Sequence, residues 1–179
     1  MQDIEVNINK LDAVEMQLDA AIFLFFENRN IIACETLVSA SLGILRALVE
    51  KDGIYSPIWE NDIIKDEYKK DWKKALNARS NFLKHADNDY DNMIKKDIDI
   101  VRIKLMEADY LYVELCKNKG RKLCANVVLF HIWFSLKYPE MMQKKSCLWQ
   151  EWMTGLKDRK VDPNNFQYFL ELAIRNRIN

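Results

Sequence analysis

Histidine is scarce in this 179-residue chain, which holds only two, His85 and His131. His85 lies in the stretch Ala78-Arg79-Ser80-Asn81-Phe82-Leu83-Lys84-His85-Ala86-Asp87. An imidazole, a guanidinium, an amide and an ammonium are thus gathered within seven residues. An unperturbed imidazole titrates near about 6.5, so His85 can exchange a proton with an RNA 2′-hydroxyl or a leaving oxygen. Arg79 stays charged and can stabilise a developing phosphorane through paired N–H donors. Asn81 can orient the imidazole or a phosphate oxygen, and Lys84 can hold a nucleic-acid backbone. Just upstream, Lys65, Lys69, Lys70, Lys73 and Lys74 cluster with Tyr68 and Trp72 interleaved, a pattern able to track phosphates. Asp62, Asp66, Glu67 and Asp71 dilute that cluster, so a solvated helix face is the better default reading.

The same stretch has a structural reading. Trp72, Ala75, Leu76, Phe82, Leu83 and Ala86 form an apolar stripe at helical spacing over about 62–86, and Arg79 falls in its middle. A buried arginine needs a carboxylate, for which Glu35 and Glu27 are the candidates, and His85 would then cap or pack a helix end near Asp87. On one continuous helix Arg79 and His85 project roughly 120° apart with about 9 Å of rise between them. Asn81 and His85, four apart, share a face. A composite site therefore requires Arg79 to reach around, the helix to loosen near Lys84, or a second subunit to contribute.

The elements that position this stretch are helices. Leu11, Val14, Leu18, Ala21, Ile22, Phe25 and Phe26 recur at three- and four-residue steps and predict a helix over 10–28. A second follows over 31–51, with Asn30 as its cap and Gly53 after its end. The short connector predicts an antiparallel hairpin. Asp97 caps a helix to about Asn118, closed by Gly120, and an apolar helix spans 122–138 before Pro139. A Met- and Trp-rich helix is expected over 140–153. Asp162-Pro163 then reads as the cap and first-turn proline of a last helix with Phe166, Phe169, Leu170, Ala173 and Ile174 on its face.

Composition agrees. Four glycines and three prolines leave few breakers, and 49% apolar residues supply a sizeable core. Lys+Arg and Asp+Glu both number 27, which argues against bulk electrostatic attraction to nucleic acid while allowing a local basic face. Cys34, Cys116, Cys124 and Cys147 show no paired spacing and read as reduced, structural thiols. His131, among Val128, Phe130, Trp133 and Phe134, reads as a packed core histidine. Glu15, Asp19, Glu27 and Glu35 invite a metal bundle, but the chain has no Glu-x-x-His unit, so no metal or other cofactor is expected. The N-terminus lacks a signal-peptide layout and no uncharged apolar run reaches 18 residues, which leads to expecting a cytoplasmic protein without a membrane span.

Arg79-x5-His85 resembles the R-x(4–6)-H signature of HEPN domains. Asn81-Phe82-Leu83-Lys84-His85-Ala86-Asp87, with Ala20-Ala21-Ile22-x-Leu24-Phe25-Phe26 upstream, is also similar to a set of bacterial proteins. The resemblance covers roughly residues 10–118. It implies an all-α antiparallel helical bundle over 1–120; the helices that the periodicity predicts over 121–179 then form a C-terminal helical extension packing on it or part of the same domain. It also implies a metal-independent ribonuclease of RNA-processing or toxin type, acting as a homodimer with paired motifs at the interface. Arg79, Asn81 and His85 would then be catalytic, and Lys84, Lys73 and Lys74 would hold RNA. Other HEPN domains are inactive binding or adaptor modules, and Ser80 stands where the family often places Asn, Asp or His. The alternative is accordingly a non-catalytic helical ligand- or protein-binding module with Arg79 in a structural ion pair.

Overall fold

Asn9 starts the fold. Its side chain accepts hydrogen bonds from the backbone N–H groups of Leu11 and Asp12, while the Asp12 carboxylate accepts from the Asn9 N–H. This reciprocal capping satisfies donors that a helix start otherwise leaves open, and fixes α1 at Lys10–Glu27. The helix stops at Asn28, whose φ of 55° is left-handed and whose N–H donates to the carbonyls of Leu24 and Phe25. Asn30 then caps α2, Ile31–Lys51, by accepting from the Ala33 N–H. With only three residues between them, the helices fold back as a hairpin. The Cys34 thiol donates to the Ala21 carbonyl at 3.1 Å and the Ser41 hydroxyl to Gln17 Oε1 at 3.1 Å.

The computed structural model describes residues 7–56, 66–85, 91–141 and 161–178. Beyond the hairpin lie α3, Asp66–Phe82; α4, Ile98–Lys119; α5, Ala125–Lys137; a 3₁₀ turn, Pro139–Met141; and α6, Phe166–Ile178. The protein is all-α, and no strand occurs among the described residues. α1 packs against α2, α5 and α6, whereas α4 packs against α2 and α5. α2 has the length and apolarity to cross a membrane, but here Cys34, Val38, Leu42, Leu45 and Val49 are buried within the bundle.

Rings join the last two helices to the first. Phe25 meets Trp133 at 5.0 Å edge-on, and Phe26 stacks on Phe169 at 5.3 Å. Such pairs contribute about 1 kcal/mol each beyond the area they bury. The Trp133 indole N–H finds the Pro163 carbonyl at 2.9 Å. One buried cluster therefore draws on α1, α2, α4, α5 and α6.

The structure moves several expected boundaries. α3 ends at Phe82, so His85 lies past a turn rather than on the helix. α5 begins at Ala125, with Cys124 in the cap position and no side-chain cap bond. Asp162 closes a turn by accepting from the Asn164 N–H, and Asn165 caps α6 by accepting from the Tyr168 N–H. The helix thus starts three residues after Pro163, because the proline sits inside that turn. Only Glu140 and Met141 of the expected 140–153 helix fall among the described residues; Cys147, Trp149 and Trp152 lie outside them, as do Lys65, Ala86 and Asp87.

Candidate functional site

Arg79 approaches Glu35 from α3. Nε donates to Oε1 at 2.9 Å and Nη2 to Oε2 at 2.7 Å, the parallel two-pronged match of guanidinium to carboxylate. Glu35 is fully buried on α2, while the Arg79 side chain is 13% exposed. Nη1 donates to the Lys95 carbonyl at 2.9 Å, tying α3 to the segment that enters α4. Of the two carboxylates that could pair with Arg79, the fold delivers Glu35.

A second cation shares that carboxylate. Lys104 of α4 donates to Glu35 Oε1 at 2.9 Å, Ser39 Oγ at 3.0 Å and Ser80 Oγ at 3.1 Å. Three acceptors match the three N–H groups of an ammonium. Ser80 also donates to the Leu76 carbonyl. Burial pushes the Glu35 carboxyl up, but the bonds from Arg79 and Lys104 outweigh it and hold Glu35 below the usual carboxylate range. Burial lowers the Lys104 ammonium, and its bond to Glu35 offsets only part of that. The bond to Glu35 raises Arg79 further, against the opposing effect of burial, and the nearby charge of Asp97 acts in the same direction. Asp97 also caps α4, accepting from the N–H groups of Asp99 and Ile100. Two acids and two bases thus meet where α2, α3 and α4 converge.

The remaining motif residues lie outside this cluster. Asn81, Lys84 and His85 are exposed, and the His85 side chain makes no hydrogen bond or ion pair with a described residue. The His85 N–H still donates to the Asn81 carbonyl at 2.9 Å, so the backbone keeps a helical turn there. Lys74 is exposed and Lys73 half-buried.

The sequence alone does not connect Lys104, Ser39, Ser80 and Asp97 with the Arg79–Glu35 pair. A signal for Lys104 was present: it lies three residues after Val101 and four before Ala108, on the α4 stripe. Arg46 repeats the forked geometry on the fully buried Glu107, at 3.1 and 2.8 Å, with the Ser56 hydroxyl donating to Glu107 at 2.7 Å.

His131 is not simply packed among apolar side chains. Its Nδ1 lies 2.7 Å from Asp109 Oδ2, and its side chain is 21% exposed. Burial would lower the imidazole, but the bond and charge of Asp109 raise it above its ordinary value. Burial raises the Asp109 carboxyl, against the pull of His131. Glu15 accepts from the Tyr112 hydroxyl and Arg121, whereas Asp19 accepts from Asn126 and Arg177. Glu15, Asp19 and Glu35, three of the four carboxylates that suggested a metal bundle, therefore have separate partners, and among the described residues no three metal-ligating side chains come together. Cys34 and Cys116 are buried free thiols; burial, assisted by the adjacent Glu35 charge, pushes Cys34 up to about 12.

No protein-family model, curated protein or solved structure matches the chain.

Proposed function

We propose that the protein is a non-catalytic helical module that binds a protein partner, with Arg79 holding α3 in place rather than stabilising a transition state. The observation behind this reading is the pairing of both forward N–H groups of Arg79 with buried Glu35. A guanidinium so engaged can turn to a phosphorane only by leaving a buried carboxylate with Lys104 alone, and exposing a paired charge in this way is strongly unfavourable. The binding surface we assign is the exposed edge around the end of α3, where Asn81, Lys84 and His85 lie, together with the exposed segment that the Arg79–Lys95 bond ties to α3. Met93 of that segment is 97% exposed, and a flexible thioether suits a polypeptide surface.

One observation favours RNA cleavage in the HEPN manner instead: the exposed His85 imidazole has no partner among the described residues and is open to a substrate. Incubating RNA with the wild type and with His85→Ala, in EDTA, separates the two. The binding-module reading expects no cleavage by either protein. Cleavage by the wild type that His85→Ala abolishes would overturn it.

A further inference from the structure

Arg177 occupies a prepared seat at the end of α6. Its Nε donates to Asp19 Oδ2 at 2.8 Å, its Nη2 lies 2.8 Å from the same oxygen, and its guanidinium carbon stands 4.6 Å from the centre of the Phe23 ring. The other Asp19 oxygen accepts from the Asn126 amide at 2.6 Å. Asn126 is fully buried on α5, so it holds the carboxylate in one orientation. Its own carbonyl oxygen accepts from the Asn176 amide at 2.9 Å. A fixed carboxylate, an aromatic face and a buried acceptor suit a flat cation accompanied by a further N–H group.

The seat is held more firmly than its occupant. Asp19 and Phe23 project from α1 and Asn126 from α5, helices whose Leu18, Ile22, Val127 and Phe130 belong to the core. α6 is anchored further back, by Phe166, Phe169 and Ala173. In the turn that follows, Ile174, Arg175, Asn176 and Arg177 are all exposed. A helix end leaves its last carbonyls without intrahelical partners, and a part-exposed ion pair holds weakly. The Asp19 and Arg177 side chains are 27% and 38% exposed. This turn can therefore unwind while the rings keep α6 docked. Unwinding alone is unfavourable, because the buried Asn126 carbonyl loses the donor that Asn176 supplies. It becomes favourable when another molecule brings a guanidinium to Asp19 and Phe23 and an N–H to Asn126.

We infer that this seat recognises an arginine side chain of a partner polypeptide, and that Arg177 fills it as an internal stand-in until the partner arrives. An arginine within a chain brings both groups, the guanidinium and a neighbouring peptide N–H. Lysine offers a strongly hydrated point charge without the flat fork, and stacks less well on a ring. The seat shares no residue with the α3 edge, so the two binding surfaces can be tested separately.

The test uses the whole chain, isotope-labelled for NMR, with a capped Gly-Ser-Arg-Ser-Gly peptide as the probe. At millimolar concentration the peptide should speed exchange of the Arg177 Nε–H with water and shift the Asn126 side-chain amide, with helical circular dichroism unchanged. The same peptide with lysine in place of arginine should do neither. Free arginine, which lacks the peptide N–H, should bind about tenfold more weakly. Arg177→Ala removes the internal competitor and should tighten peptide binding about tenfold; adding Asp19→Asn should abolish it. If Arg177→Ala loses helical signal, Arg177→Lys takes its place. An Arg177 Nε–H that stays protected, an equal response to the lysine peptide or to free arginine, or unchanged affinity in the folded Arg177 variant would overturn the inference.

Discussion

The guanidinium of Arg79 and the carboxylate of Glu35 are joined by two parallel hydrogen bonds of 2.9 and 2.7 Å across the α2–α3 junction. Because Glu35 is fully buried, removing the arginine strands a charge rather than a surface contact. Arg79→Ala should lower unfolding stability in urea by about 3 kcal/mol. Arg79→Lys keeps the charge but loses the fork, and should cost about half as much. Equal stability of Arg79→Ala and wild type would contradict a structural role.

Replacing the whole cluster should be milder than breaking it. Glu35→Leu, Arg79→Leu and Lys104→Met together remove three charges that folding must strip of water, and leave apolar volume in their place. The triple variant should fall within about 2 kcal/mol of the wild type, and above Arg79→Ala. Urea midpoints of the two variants, side by side, make the check.

His131 gives stability a direction in pH. Its folded pKa is raised above the ordinary 6.5 by Asp109, so the folded chain keeps a proton that the unfolded chain releases. That contribution is fully present below 6.5 and is lost as pH rises through the folded value. Asp109, also raised, contributes with the same sign, beginning above its ordinary 3.8. Thermal midpoints should therefore decline from about pH 6 to pH 9, and His131→Gln should flatten the decline. An unchanged slope in His131→Gln would remove the pair as its source.

Asn28 holds a left-handed backbone between α1 and α2. Asn28→Gly should be neutral or slightly stabilising, because glycine adopts this conformation freely. Asn28→Val should cost about 1–2 kcal/mol, since a branched side chain crowds the backbone there. Denaturant midpoints of the two variants, compared with the wild type, test this.

Where residues signal through their own neighbours, the sequence could be read closely. Asn30, Asp97 and Gly120 mark helix ends, and the regular steps from Leu11 to Phe26 mark a buried face; these bond within a few residues of themselves. Arg79 was conspicuous as a charge on an apolar stripe, but its choice between Glu27 and Glu35 depended on how α3 meets α2. Lys104, 69 residues from Glu35, belongs to the same cluster only after three helices have converged. His131 is a related case: its sequence neighbours are apolar, while the residue it bonds, Asp109, is on another helix. Local chemistry also placed the last helix too early, because Asp162-Pro163 suits a turn as well as a helix start.

The ring cluster bears on how the chain acquires its fold during synthesis. Phe25 and Phe26 emerge well before α6, but the faces they present are completed by Phe166 and Phe169. While the ribosome adds the intervening residues, two large rings on α1 lack their final neighbours. The hairpin can form early, since its contacts are local. Its aromatic end must wait for α6, leaving a sticky patch on the nascent chain until Phe166 and Phe169 emerge.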